Sequence, residues 1–257
     1  FKAMTFLCDK AFSETYKSSS YVFFETTKGY NMKPMESFVE TPHSNEFSIG
    51  SLKSSGEDTR LRDFNSENKK VQSYNFDSSF SVLDNITRGM YVGNATTVDL
   101  LTRNTSKLTH SFWDNYNDYR ILNDGPFQDV SGTGRQYRPN TNYVVPERRL
   151  NDTSIYNQDK TFLQKMYHKQ LMNNIKCTIT VYGDSDLTAG QTVDLKVPLF
   201  SSVDSGELDK YYSGKYLIIA IRHRLEVGRY SMDIEMVKDS FNDSLPSPIP
   251  QLVGRAG

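Results

Sequence analysis

The chain has 257 residues, 37% of them hydrophobic and 24% charged, which suits one large or two modest domains and is too polar for a helical membrane protein. Its 30 Lys and Arg offset 31 Asp and Glu, so the overall balance gives no electrostatic argument for nucleic acid, anionic lipid or acidic substrates, leaving only local patches. The longest apolar run, Tyr216 to Ile221, is strand-sized and falls well short of the roughly 18 residues a membrane span needs.

Cys8 and Cys177 match neither a disulfide framework nor a four-ligand zinc spacing and are expected as reduced, buried thiols. The chain opens at Phe1 with neither an initiator Met nor a signal-peptide pattern, and Phe1 is expected to be internal to a longer polypeptide.

From Phe1 to about Lys17, apolar side chains at Met4, Leu7, Cys8, Ala11 and Phe12 keep the spacing of one helical face, and three serines then stop it. Tyr21 to Glu25, a Lys28-Gly29 turn and Tyr30 to Met32 read as a short hairpin, with Pro34 opening a short helix through Phe38. Residues 40–70 are polar and broken by Gly50 and Gly56, so they read as an exposed excursion with a short helix near Asp58 to Phe64. Order resumes at Val71 to Phe76. Asp77 or Ser78 then caps a helix carrying Phe80, Leu83 and Ile86, and a strand-like stretch runs from Met90 to about Asn104.

The segment from about Asn123 to Ser154 holds several Gly and Pro among Asn, Asp, Arg and Tyr and reads as a long interface loop or arm. A helix from about Asn157 to Met172 follows, with an apolar stripe that includes Leu163, Tyr167 and Leu171. Ile175, Cys177, Ile179 and Val181 then alternate with Lys176, Thr178, Thr180 and Tyr182. Val193, Leu195 and Val197 alternate with Thr192, Asp194 and Lys196. The intervening GDSDLTAG is hairpin-sized. Tyr216 to His223 is apolar on both faces and reads as a central strand, turning at Gly228 into the alternating Tyr230 to Met236. These strands give an α+β, β-rich fold: an antiparallel barrel with accessory helices. The divisions are 1–40, a small helix-hairpin domain; 41–122, the first barrel part with its excursion; 123–156, the loop; 157–240, a helix and the last barrel strands; and 241–257, a Pro-rich tail.

Chemistry is sparse. Gly132-Thr133-Gly134 lacks the third glycine and the lysine of a phosphate-cradling loop, and neither a nucleophile elbow nor HExxH occurs. His43, His110, His168 and His223 never share a helical face. His168, beside Lys165 and Lys169, reads as solvated, and His223 as a hydrogen-bonded structural residue at the end of a buried strand. Asp184 and Glu207 would be the acids of a hydrolase, but solvated charge is the simpler reading of the carboxylates. No catalytic residue, metal or cofactor is assigned. Arg135, Tyr137, Arg138 and Tyr143 in the loop, with Tyr216, Arg222 and Arg224 on the last sheet, are the candidate interface residues, because Arg and Tyr favour such surfaces.

Three runs carry a family resemblance: "FKAMTFLCDKAFSETYKSSSYVFFETTKGYNMKPMESF", "FSVLDNITRGMYVGNATTVDLL", and "GDSDLTAGQTVDLKVP" followed by "SGKYLIIAIRHRLEVGRYSMDIEMVKDSF". Together they hold about two fifths of the chain. In this order they resemble central baseplate hub proteins of contractile-tailed phages of the T-even type, especially marine relatives. The barrel such hubs carry upstream is missing here, and 123–154 has no counterpart.

The resemblance implies a tube-type barrel in a homotrimer whose paired barrels form a pseudo-sixfold ring, fitting the sixfold tail tube to the threefold spike. The implied partners are copies of itself, the spike, tube or tube-initiator proteins and baseplate wedge proteins. DNA would pass transiently and without sequence reading, in a virion tail assembled in the host cytoplasm. Thr178, Thr180, Asp194 and Lys196 are then candidates to line a hydrated lumen. The rival readings are a hub or spike component of a type VI secretion system or tailocin, a tail-associated cell-wall hydrolase, and a surface-glycan binding module.

Overall fold

The computed structural model describes residues 2–16, 18–42, 45–50, 69–78, 87, 92–99, 103, 105–111, 120–123, 125, 141–147, 158–199 and 207–243. The expected helices near Asp58 to Phe64 and across Phe80 to Ile86, and the Pro-rich tail, lie outside these residues. The fold is β-rich α+β with a nearly closed barrel.

The N-terminal unit is α1 (Lys2–Lys10), the antiparallel hairpin β1 (Tyr21–Thr26) and β2 (Gly29–Pro34), and α2 (Glu36–Glu40). Pro34 ends β2 instead of opening the helix, which starts after Met35.

The barrel is built from β3 (Asn45–Ile49), β4 (Lys70–Val71), β5 (Ser73–Ser78), β9 (Ile175–Tyr182), β10 (Thr192–Lys196), β11 (Gly214–Glu226) and β12 (Arg229–Lys238). Their order across the sheet is β4-β3-β10-β11-β12-β9-β5. The two edge strands, β4 and β5, are separated along the chain only by Gln72, whose N–H donates to Thr180 O at 2.8 Å. One continuous stretch thus begins on β3 and continues on β9, drawing the sheet edges together.

Two expectations are corrected here. Asn45–Ile49 falls in the predicted excursion but is an internal strand, parallel to β10, with Phe47 and Ile49 buried. Two apolar residues in five give little local signal, and the partner that completes the strand is distant in sequence. Nor do β9 and β10 form a hairpin: β11 and β12 lie between them, and 183–191 connects non-neighbouring strands. Alternation fixes which face a strand buries but does not select its neighbour.

The barrel interior is filled from several strands by Cys177, Ile179, Val181, Val193, Leu195, Tyr216, Ile218, Met232, Ile234 and Met236. Ile179 is fully buried, and its truncation to Ala would cost roughly 2–5 kcal/mol through lost contacts and a residual cavity. Both cysteines are free and buried.

A second sheet, ordered β7-β6-β8, comprises β6 (Val92–Asp99), β7 (Thr105–Ser111) and β8 (Thr141–Glu147). Thr141–Glu147 lies in the segment expected to be a loop, yet its backbone runs parallel to β6 and pairs Tyr143 with Ala95. Helix α3 (Gln158–Met172) joins this sheet to the barrel. Leu163, Tyr167 and Leu171 recur at helical spacing and are buried. The Tyr167 ring stacks on His110 with centroids 5.3 Å apart, and its hydroxyl donates to His110 O at 3.2 Å.

Candidate functional site

Register places one polar wall on the barrel. Thr178 lies opposite Glu235 and Thr180 opposite Asp233, while Asp233 lies opposite Arg222. These residues share the face turned away from buried Ile179 and Ile234. Thr180 Oγ1 donates to Asp233 Oδ1 at 3.0 Å, and Arg224 pairs with the other carboxylate oxygen. Asp194 and Lys196 alternate with buried Val193 and Leu195 on β10, and Lys196 reaches Glu46 on β3 at 2.5 Å. Thr178, Thr180, Asp194, Lys196, Arg222 and Arg224 therefore belong to the solvent-side face of one sheet. Thr192, expected on this wet face, is instead buried, with its hydroxyl donating to Thr41 O at 3.1 Å where the N-terminal unit covers the wall.

Tyr216 does not belong to this wall. It points into the barrel with no exposed surface, and its hydroxyl donates to Tyr212 O at 2.6 Å. Burial, with the neighbouring Cys177, Tyr212 and Asp209, holds the phenol well above its ordinary pKa. A ring sealed inside its own chain cannot serve as a partner contact. Lys238, also buried, places its ammonium 5.0 Å from that ring and donates to the carbonyls of Ser213, at 3.1 Å, and Tyr211.

β11 is central only at its start. Its residues Gly214 to Leu217 pair with β10, but from Ile219 to Glu226 its outer edge has no strand partner among the described residues. From Ile219 onward no residue of β11 is buried. His223 is accordingly exposed, not buried, although its Nδ1 does lie 2.9 Å from Tyr230 Oη. Such an edge, with unpaired backbone donors and acceptors, is a ready place for another strand.

Arg135, Tyr137 and Arg138 lie outside the described residues, and Tyr143 is placed by its backbone on β8. His168, expected to be solvated, is completely buried beside Glu36. Asp184 Oδ2 accepts from Asn45 Nδ2 at 3.1 Å, and its Oδ1 accepts from Asp186 N at 2.9 Å. It lines a cavity of about 390 Å³ with Tyr182 and Tyr230, and no second carboxylate lines that cavity among the described residues. Among the described residues no three His, Cys, Asp or Glu side chains could hold a metal ion, and no helix is long and apolar enough to cross a membrane.

A larger groove of about 440 Å³, missed by sequence reasoning, lies between the N-terminal unit, α3 and the barrel. Its walls include Val22, Phe24, Met35, Phe38, Met172 and Leu217, with Lys165 and Lys169 of α3 also lining it. No local pattern marks it, because its walls come from segments far apart in sequence.

No protein-family model and no curated protein matches the chain. Among solved structures it is similar to the tail protein from Neisseria meningitidis MC58, with 13% identity, a TM-score of 0.37, and coverage of 77% of this chain and 45% of that one. It is also similar to the 43 kDa tail protein of prophage MuSo2 from Shewanella oneidensis, with 10% identity, a TM-score of 0.44, and coverage of 93% and 54% respectively. Both neighbours are tail proteins, one of them from a prophage, and the chain spans about half the length of each.

Proposed function

We propose that the protein is a structural component of a contractile phage tail, and within it a central baseplate hub: a homotrimeric ring that fits the sixfold tube to the threefold spike and surrounds part of the DNA channel. The observation that carries this reading is the barrel whose outer face carries a polar wall on β9, β12 and the far half of β11, and whose β11 edge has no strand partner from Ile219 to Glu226 among the described residues. A wall of that kind gains by pairing with another subunit and needs no converging catalytic groups. The ordered resemblance of three sequence runs to hub proteins supports it independently. On this reading the partners are copies of the chain, the spike, tube or tube-initiator proteins and wedge proteins. Arg222 and Arg224 take part in subunit contacts, while Thr178, Thr180, Asp194 and Lys196 face the hydrated lumen.

The test is oligomeric state. Mass photometry of the purified chain should show trimers, and R222E/R224E should shift them towards monomers. A stable monomer at tens of micromolar would overturn the reading. Type VI secretion or tailocin hubs share this physics and are separated by gene neighbourhood: a sheath gene alone or a full capsid set. For the hydrolase reading, zymography on peptidoglycan is expected to show no clearing, with D184N and E207Q as controls should any appear.

A further inference from the structure

The β11–β12 hairpin ends in a feature that none of the described residues covers. Leu225 is 78% exposed and Val227 fully so, the two most exposed large apolar residues described. Val227 occupies the two-residue turn with Gly228, whose φ of +76° is the left-handed value that glycine adopts readily. Turn positions favour Gly, Asn, Asp and Pro for conformational reasons, and a β-branched valine gives this turn nothing. Between the two apolar residues stands Glu226, exposed and without an ion-pair partner among the described residues.

The groove between the N-terminal unit, α3 and the barrel has the complementary character. Its walls are Val22, Phe24, Phe38 and Met172, and Lys169 at its side is exposed and has no ion-pair partner among the described residues. Lys165, one helical turn away, is already held by Asp9 at 2.5 Å. Ser20, lining the groove at 1% exposure, has a hydroxyl without a hydrogen-bond partner among the described residues. The groove takes an apolar group flanked by one negative charge.

We infer that the hairpin tip of one copy seats in this groove of a second copy, with Leu225 and Val227 against the apolar walls and Glu226 facing Lys169. The contact is intermolecular by geometry. Ile219 lines the groove at the hairpin's base, and eight residues of extended chain carry Val227 about 26 Å away at roughly 3.3 Å per residue. Tip and groove are different surfaces of one chain, so the contact is head-to-tail. A head-to-tail contact closes into a ring when its rotation allows and otherwise runs on as a filament. This deepens the ring reading above by naming the surfaces that join its subunits.

Cysteine pairing tests it. In a C8A background, T5C, which places a thiol at the groove, and V227C are purified separately and mixed under mild oxidant, and products are resolved without reductant. Cys177 is 1% exposed and stays silent. The expected result is a cross-linked dimer from the mixture only, and from the T5C/V227C double variant a ladder ending at the ring size. L225D/V227D should weaken association at least tenfold by mass photometry while its melting temperature is unchanged. Cross-linking of V227C alone as efficient as the mixture, or wild-type association of L225D/V227D, overturns the inference. If the wild type assembles but the mixture does not cross-link, this contact fails and the ring stands. If the wild type stays monomeric at all concentrations, both fail.

Discussion

His168 Nδ1 lies 3.2 Å from a carboxylate oxygen of Glu36, and neither side chain exposes more than 2% of its surface. The pair fastens α2 of the N-terminal unit to α3. Burial alone would raise the Glu36 carboxyl, but the His168 ring and the Ser18 hydroxyl outweigh it and hold the group below its ordinary value of 4.5. Its contribution to stability is therefore complete above pH 4.5 and disappears as pH falls through the lower folded value. E36Q, which takes the carboxylate from beside a buried imidazole, is expected to cost about 1–3 kcal/mol at pH 7. Urea midpoints should show the wild-type advantage over E36Q shrinking as pH is lowered below 4.5.

Lys238 gives the opposite sign. Burial lowers its ammonium from 10.5 to about 7, against the pull of Asp209 and Asp239. The unfolded chain thus binds this proton more readily, so the full penalty applies below pH 7 and is relieved as pH rises. Between pH 7 and 9 the wild type should gain about 2–3 kcal/mol from this group, at about 1.4 kcal/mol per pH step. Above pH 9 Cys177, which burial raises from 9.0 to about 12, offsets this gain, because the folded chain keeps a proton the unfolded chain loses. K238M should lack the rise between pH 7 and 9 when urea midpoints are compared. An identical slope in both proteins would show that Lys238 titrates as an ordinary lysine.

What could be read from sequence was what repeats locally. The strict alternation of Ile175 to Tyr182 gave the correct buried face, Leu163, Tyr167 and Leu171 marked α3, and the Lys28-Gly29 turn marked the first hairpin. β7 offers only Leu108 in Thr105–Ser111, too little for any pattern, and depends on its pairing with β6. β8 sits among turn-forming residues and is a strand because β6 supplies its hydrogen bonds. At the site, Arg222 and Arg224 alternate visibly, but a run apolar on both faces left the direction of Tyr216 open, and the core settles it. The burial of His168 depends on Glu36, from the other end of the chain, and the lysines beside it pointed the wrong way.

Gly190 tests how closely the N-terminal unit sits on the barrel. Its φ is +84°, and a Cβ there would lie 2.6 Å from Phe24 Cζ, with Phe38 at 3.2 Å. G190A therefore meets both backbone strain and a ring that is itself packed against Phe38, with centroids 5.7 Å apart. A loss of about 1–3 kcal/mol is expected. Hydrogen exchange should localise it, with β1 and α2 amides exchanging faster while those of β9 and β12 keep their protection. Uniform loss across all four elements would mean that the unit and the barrel unfold together.

The wall itself should prove nearly dispensable for folding. Asp233 is gripped from both sides, accepting from Thr180 Oγ1 at 3.0 Å and pairing with Arg224, whose side chain is 52% exposed. Solvent screens a pair this open, and its coupling energy should fall below about 1 kcal/mol in an R224A/D233A double-mutant cycle and shrink further in salt. The same substitutions should affect assembly more strongly, because a charge lost from a subunit contact is felt where water has been expelled. The check is to run both measurements on the same four proteins, urea midpoints for folding and mass photometry for association. If R224A and D233A lower stability by several kcal/mol, the wall is part of the barrel's own scaffold. If they leave association unchanged, these two residues are not part of the surface where subunits meet.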